Sequence, residues 1–240
     1  MRIFEDYYEA GSEVMRDLHE MGVITRIQSM QDLDVSDNDD LGITKEIVGY
    51  CFKVLSHGRL DDMLDLFRKI DLDVAKEYIE TELADRVSGK SMNPGNAWQL
   101  RSDTWEQFMR KHGGNKLSYT YSERMFDRVP AVINELKDRP GSRQAIIDVY
   151  RGDLDLPNWG GKARISCSMY YQALIRDDEL QLIYTIRSND LLEHFCYDLA
   201  LAGGLQEHIA DALGLPCGDL TYFIGSLHAY KKDLDERGIF

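Results

Sequence analysis

Cys167, Arg187, Asp190, Asp198, His228 and Tyr230 fall within a stretch of 64 residues, and their side chains are of kinds that do chemistry. A thiolate adds to electron-poor carbon, and nearby positive charge favours that ionised form. Two apolar runs, Met169 to Ile175 and Leu180 to Ile186, flank the polar string Arg176-Asp177-Asp178-Glu179, which is the pattern of a β-hairpin. Such a hairpin returns Arg187 to the neighbourhood of Cys167. Side chains alternate along a strand, so Gln181, Ile183, Thr185 and Arg187 share one face. By the same rule Tyr222, Ile224, Ser226, His228 and Tyr230 share a face of a strand over Asp219 to Tyr230. From spacing alone a cysteine is more often a small hydrophobe than a nucleophile, and a lone histidine more often a surface or core residue. The plain reading of Asp198 is a helix cap before Leu199 to Leu213.

The elements that must position these groups can be read in order. Phe4, Tyr7, Tyr8, Gly11, Val14, Met15 and Leu18 keep helical spacing, with Gly22 as a stop. Gln31 to Leu41 is acidic and turn-rich. Ile43 to Leu55 contains a strand centred on Ile47 to Phe52, and Leu60 to Ile70 reads as a short helix or a hairpin arm. Val74 to Val87 is helical, and Val74, Tyr78 and Glu82 form one stripe on it. A carboxylate at the end of an apolar stripe is partly desolvated, which suits it to handling protons, although an exposed acid is the plainer reading of Glu82. Phe126, Val129, Ile133 and Leu136 mark another helix, ending at Asp138-Arg139-Pro140-Gly141. Ala145 to Tyr150 is a strand, Arg151 to Lys162 a loop, and the helix after Asp198 ends at Gly214-Leu215-Pro216.

Length and charge narrow the function. The chain has 240 residues, enough for one domain with a sizeable core, and a net charge of −14. That balance argues against nucleic-acid binding, which calls for a basic patch. The cysteines at 51, 167, 196 and 217 show neither Cys-x-x-Cys nor zinc-ligand spacing, so no metal is expected and free thiols in a reducing compartment are. The first residues lack an apolar signal core and no run approaches membrane length. These features point to a cytoplasmic protein, in a host cytoplasm if a phage encodes it.

Cys167-x4-Gln172, then Arg187-Ser188-x-Asp190, then Gly218-Asp219 and His228-x-Tyr230, resembles the thymidylate synthase superfamily without a gap across Cys167 to Tyr230. The resemblance implies an α+β fold with a large mixed sheet flanked by helices, a single domain over residues 1–240 and a sheet-mediated homodimer. Where the synthases carry an asparagine that reads uracil, this chain has Asp198. A carboxyl suits cytosine: ionised it accepts from the amino group, and protonated it also donates to N3. Asp198, Arg187 to Asp190 and Gly225 to His228 look most like the deoxycytidylate hydroxymethylase branch, as does Glu77 to Leu83, which sets Glu82 where the family keeps its catalytic glutamate.

The resemblance therefore implies hydroxymethylation of dCMP or CMP at C5 with 5,10-methylenetetrahydrofolate. Cys167 would add to C6, Glu82 would handle protons and position water, and Asp198 would read the base. Arg187, Ser188 and, across the dimer, Arg143 would hold the phosphate, with Gln172 and Tyr121 also at the substrate and His228 and Tyr230 on the sugar. Asp190 and Trp105 would hold the folate. Tyr121 is preferred to Tyr119, and Trp98 is read as core. Three departures stand out. Gln144 replaces a second interface arginine, Ser168 replaces the histidine after the cysteine, and Arg237 to Phe240 do not match the synthase ending. Arg26 is the nearest candidate for a further phosphate-contacting arginine. Methylation of a pyrimidine monophosphate and a catalytically silent nucleotide binder remain as alternatives.

Overall fold

A mixed seven-stranded sheet carries the arginine and the His-x-Tyr pair on adjacent strands, with the cysteine just before a third. The computed structural model describes residues 1–31, 33–67, 70–110, 114–160 and 162–236. The chain opens with β1 (Arg2–Phe4) and α1 (Tyr7–Met21), then β2 (Val23–Arg26). Phe4 thus belongs to a strand rather than to the first helix, because Asp6 caps α1 by accepting from the Glu9 amide. Gly22 ends α1 as expected, its N–H donating to Leu18 at 3.0 Å. The acidic, turn-rich stretch folds into a two-stranded ribbon, β3 (Ser29–Met30) and β4 (Leu33–Asp34), followed by the one-turn α2 (Asp39–Gly42).

β5 (Ile43–Val54) comes next, then α3 (Leu60–Phe67), which settles that segment as helix, and α4 (Leu72–Val87). After a short 3-10 turn over Ala97–Arg101 come α5 (Ser102–Arg110), α6 (Tyr121–Met125) and α7 (Arg128–Asp138). Phe126 caps α6 instead of starting α7. β6 (Ile146–Asp148) leads into a connection that is not plain loop. It holds α8 (Gly152–Asp155), anchored by the fully buried Asp155, which accepts from Arg124 at 3.0 Å and from the Arg151 amide at 2.7 Å.

β7 (Ser168–Arg176) and β8 (Glu179–Asp190) form the hairpin that the sequence pattern requires. Asp177 and Asp178 both have positive φ, 52° and 59°, as a two-residue turn of this hand demands. α9 (Phe195–Leu213) ends at Gly214, whose φ is +69°. β9 (Cys217–Tyr230) then returns parallel to β8, and α10 (Lys231–Glu236) follows. Residues 237–240, whose departure from the synthase ending was noted above, lie outside the described residues.

The strand order is β1-β5-β9-β8-β7-β6, with β2 also paired to β5. β5–β9 and β7–β8 are antiparallel and β8–β9 parallel, so the sheet is mixed. Helices α1, α7 and α9 pack on one face. On that face Tyr171, Tyr184 and Tyr222 stack across three strands, with ring centroids 4.3 and 4.7 Å apart. The opposite face leaves Ile146, Tyr170 and Phe223 exposed. No described helix is long and apolar enough to cross a membrane.

Candidate active site

Strand alternation delivers the central residues to one cavity of about 670 Å³. Cys167 sits just before β7, and its carbonyl accepts from the Arg187 amide at 2.8 Å, so the hairpin register brings the two residues together. The Arg187 guanidinium donates from Nε to the Ser166 carbonyl at 2.9 Å and from Nη2 to the Ile165 carbonyl at 3.1 Å. The same Nη2 lies 3.8 Å from Cys167 Sγ. Gly225 makes this packing possible: a Cβ there would meet the Arg187 carbonyl oxygen at 2.6 Å. Beyond it, Ser226, His228 and Tyr230 turn into the cavity, as the alternation along β9 predicts. Burial pushes the His228 imidazole below its usual range and the Tyr230 hydroxyl above its own, so both are neutral at pH 7.

Two helices supply the acids. Tyr78 and Glu82 face the cavity from α4, and Glu82 accepts from Arg86 Nε at 2.8 Å one turn on. Asp198 faces it from the first turn of α9, which begins at Phe195 with His194 as its cap position, so Asp198 is inside the helix and not its cap. Asn189 Nδ2 donates to Asp198 Oδ2 at 2.7 Å. Burial raises the Asp198 pKa to about 6, against the lowering effect of Arg86, Arg101 and the Asn189 bond. Asp198 keeps partial exposure, and that surface opens into the cavity.

A third wall is aromatic. Trp98, Trp105, Phe108, Tyr119 and Tyr121 all line the cavity. Trp105 is 6.2 Å from the His194 ring, and burial, followed by the Arg101 charge, lowers the His194 pKa to about 3. Asp190 and Ser188 complete the rim from the end of β8. Asp190 Oδ1 accepts from the Leu192 and Glu193 amides at 3.1 and 3.2 Å. Among the described residues, no group of three or more His, Cys, Asp or Glu side chains gathers as a metal site.

Ten of the twelve site residues expected from the sequence thus share the cavity: Cys167, Glu82, Asp198, Arg187, Ser188, His228, Tyr230, Tyr121, Asp190 and Trp105. Gln172 and Arg143 do not. Gln172 alternates onto the outer sheet face, where its Nε2 donates to the Arg143 carbonyl at 2.8 Å, and the Arg143 side chain is exposed. Asp219 is held at the far end of β9 by Lys53 at 2.6 Å. Arg26 bonds to Asp39 and to the Ser36 carbonyl outside the cavity. Trp98, read as core, is a wall residue. Sequence reasoning also missed Gln31, whose Nε2 reaches Cys167 Sγ at 3.3 Å and whose Oε1 accepts from Ile165 at 3.1 Å. Nothing local marks it, since a tertiary contact across more than a hundred residues creates the role. Asn189 could have been found, because it stands inside the Arg187 to Asp190 string. Ser168, in place of the histidine, faces the core and bonds to Tyr121 and Tyr184.

The thymidylate synthase family profile covers residues 74–237, more than half of the chain. The chain belongs to the thymidylate synthase family. A thymidylate synthase of Zymomonas mobilis is 29% identical over 166 residues, covering 67% of this chain and 49% of that protein. One of Bacillus licheniformis is 26% identical over 162 residues, covering 59% of this chain and 57% of its own length. The chain thus spans about half the length of the curated relatives it matches. The thymidylate synthase fold is shared along nearly the whole chain. The crystal structure of the synthase from T4 phage superposes with a TM-score of 0.67 at 19% identity, over 94% of this chain and 77% of that one. Thermostable thymidylate synthase A of Bacillus subtilis gives 0.65 at 17%, over 98% and 83%.

Proposed function

We propose that this member of the thymidylate synthase family is a folate-dependent one-carbon transferase that hydroxymethylates a cytidine monophosphate, dCMP or CMP, at C5. Family membership supports one-carbon transfer to a pyrimidine nucleotide. The observation that carries the choice of base is Asp198, a carboxyl of raised pKa held by Asn189 in the same cavity as Cys167.

The Cys167 sulfur attacks C6, forming the S–C6 bond, and the C5=C6 electron pair moves toward N3 of the cytosine. Asp198, protonated, donates to N3 as that charge arrives, and its other oxygen accepts from the amino group. Deprotonation returns the pair to C5, which becomes the nucleophilic carbon. Glu82, held by Arg86, takes the proton that C5 loses and orients the water that ends as the hydroxyl; as that water adds, C5=C6 reforms and the S–C6 bond breaks, its pair returning to the Cys167 sulfur. Arg187 and Ser188 take the phosphate, His228 and Tyr230 the sugar. The aromatic wall and Asp190 fit a planar ring rich in N–H donors, and 5,10-methylenetetrahydrofolate would supply there a one-carbon unit at the oxidation level of formaldehyde. Residues 1–240 are read as one domain.

The exposed apolar side chains Ile146, Tyr170 and Phe223 on the outer sheet face support a homodimer joined through that face. Arg143 sits on the same side, exposed and away from its own cavity, where it would serve a second copy's phosphate. Methylation of a pyrimidine monophosphate is the second reading, because the relatives found are named thymidylate synthases.

The test incubates the protein with methylenetetrahydrofolate and dCMP, CMP, dUMP or UMP and identifies products by mass. A hydroxymethyl adduct on a cytidine monophosphate is expected, with Asp198→Asn shifting turnover toward the uracil nucleotides. A methyl product overturns the hydroxymethylase assignment, and no product from folded protein overturns the enzyme.

A further inference from the structure

Four arginines line the cavity, and three have polar partners. Arg86 pairs with Glu82, Arg101 with the Glu193 carboxylate and carbonyl, and Arg187 with the Ile165 and Ser166 carbonyls. Arg164 is different. It is 6% exposed, its Nε is buried without a hydrogen-bond partner, and its side chain makes no hydrogen bond or ion pair among the described residues. Its guanidinium instead lies 4.8 Å from the Trp105 ring centroid, 4.7 Å from Phe108 and 5.1 Å from Tyr119.

A buried charge without a polar partner is costly, and an arginine does not escape by losing its proton. Three aromatic rings offset part of that cost. They satisfy no N–H donor, so the complement that remains is an acceptor brought in by a ligand. A guanidinium takes oxygen acceptors in its own plane, and a carbonyl on a flat ring stacked against Trp105 meets that geometry. Asp190 lines the same cavity, and its backbone carbonyl accepts at 2.9 Å from the amide of His194, whose ring lies 6.2 Å from that of Trp105. A ligand ring that meets both residues presents N–H donors to Asp190 and an oxygen to Arg164.

We infer that Arg164 donates to the ring carbonyl of a 4-oxo pteridine and so selects it over a 4-amino one. This rests on the proposed reading of the site as folate-binding. A 4-oxo ring carries an acceptor at C4. A 4-amino ring carries a donor there, which leaves the guanidinium unpaired and faces it with N–H groups.

The experiment measures tryptophan fluorescence quenching, with dCMP present, on titration with folate and with its 4-amino analogue. Wild-type protein is expected to bind folate at least about tenfold more tightly than the analogue. Arg164→Met is expected to bind the two within about twofold of each other, with a melting curve showing that it is folded. Arg164→Lys keeps the charge and the stem but loses the planar fork, and a discrimination below wild type is expected of it. It carries the test alone if the methionine variant unfolds. Wild-type discrimination persisting in the folded variants overturns the role of Arg164 while leaving the functional reading intact. Wild-type protein that binds neither pteridine overturns both.

Discussion

Asn189, at the end of β8, donates from Nδ2 to Asp198 Oδ2 in the first turn of α9 at 2.7 Å, joining the sheet to the helix inside the cavity. The bond orients the carboxyl, and burial holds its pKa near 6 instead of 3.8. Asp198 therefore binds its proton more tightly in the folded chain than in the unfolded one. The associated stability is complete below the unfolded value and is lost as pH rises through about 6. Asn at this position does not ionise. Asp198→Asn should gain stability relative to wild type between pH 4 and pH 7, by at most about 3 kcal/mol. Chemical denaturation at the two pH values measures the gap, and a gap that does not widen would exclude a desolvated carboxyl.

Arg187 spans the Ser166 and Ile165 carbonyls while lying 3.8 Å from the Cys167 sulfur. A lysine keeps the charge but cannot span two carbonyls and a phosphate. Arg187→Lys should weaken binding of dCMP by about tenfold, read by calorimetry on folded protein. Unchanged affinity would place the phosphate elsewhere.

Gly203 of α9 faces Tyr7 of α1, and a Cβ there would stand 1.7 Å from the Tyr7 hydroxyl oxygen and 3.0 Å from Cζ. Gly203→Ala should destabilise by about 1–3 kcal/mol. The Tyr7 hydroxyl is buried without a hydrogen-bond partner, so Tyr7→Phe alone should stabilise by about 1 kcal/mol. In the double variant the phenylalanine should recover part of the alanine cost. Equal losses with and without it, in thermal melts, would show that the clash lies elsewhere.

Phe223 pairs with Thr185 and Thr185 with Tyr170, a row that crosses the outer sheet face. If that face joins two copies, Phe223→Asp buries a charge in the interface and should give a monomer with reduced turnover. Sedimentation decides it, and wild-type protein that sediments as a monomer would remove the dimer from the proposal.

Much of the site was legible because it depends on local periodicity. The two-residue turn at Asp177-Asp178 sets the β7–β8 register, and a one-residue shift between Ser168 and Tyr170 then brings Arg187 to Cys167. Alternation along β9 sends Ser226, His228 and Tyr230 the same way, and α4 spacing aligns Tyr78 with Glu82. The same reasoning failed where a neighbour outside the window decided the outcome. Phe4 fits the helical spacing of α1 yet pairs in a strand, because β5 offers its edge.

The amino-acid sequence by itself thus determined the family frame and the main helices and strands, and the resemblance, with periods of two and 3.6 residues fixing which side chains share a face, named ten of the residues in the cavity. The tertiary structure decided which groups surround them. Gln31 reaches the thiol and Arg164 enters a box of three rings through contacts between distant segments. The raised pKa of Asp198 belongs to the same class, because desolvation is a property of the folded surroundings and not of any stretch of chain.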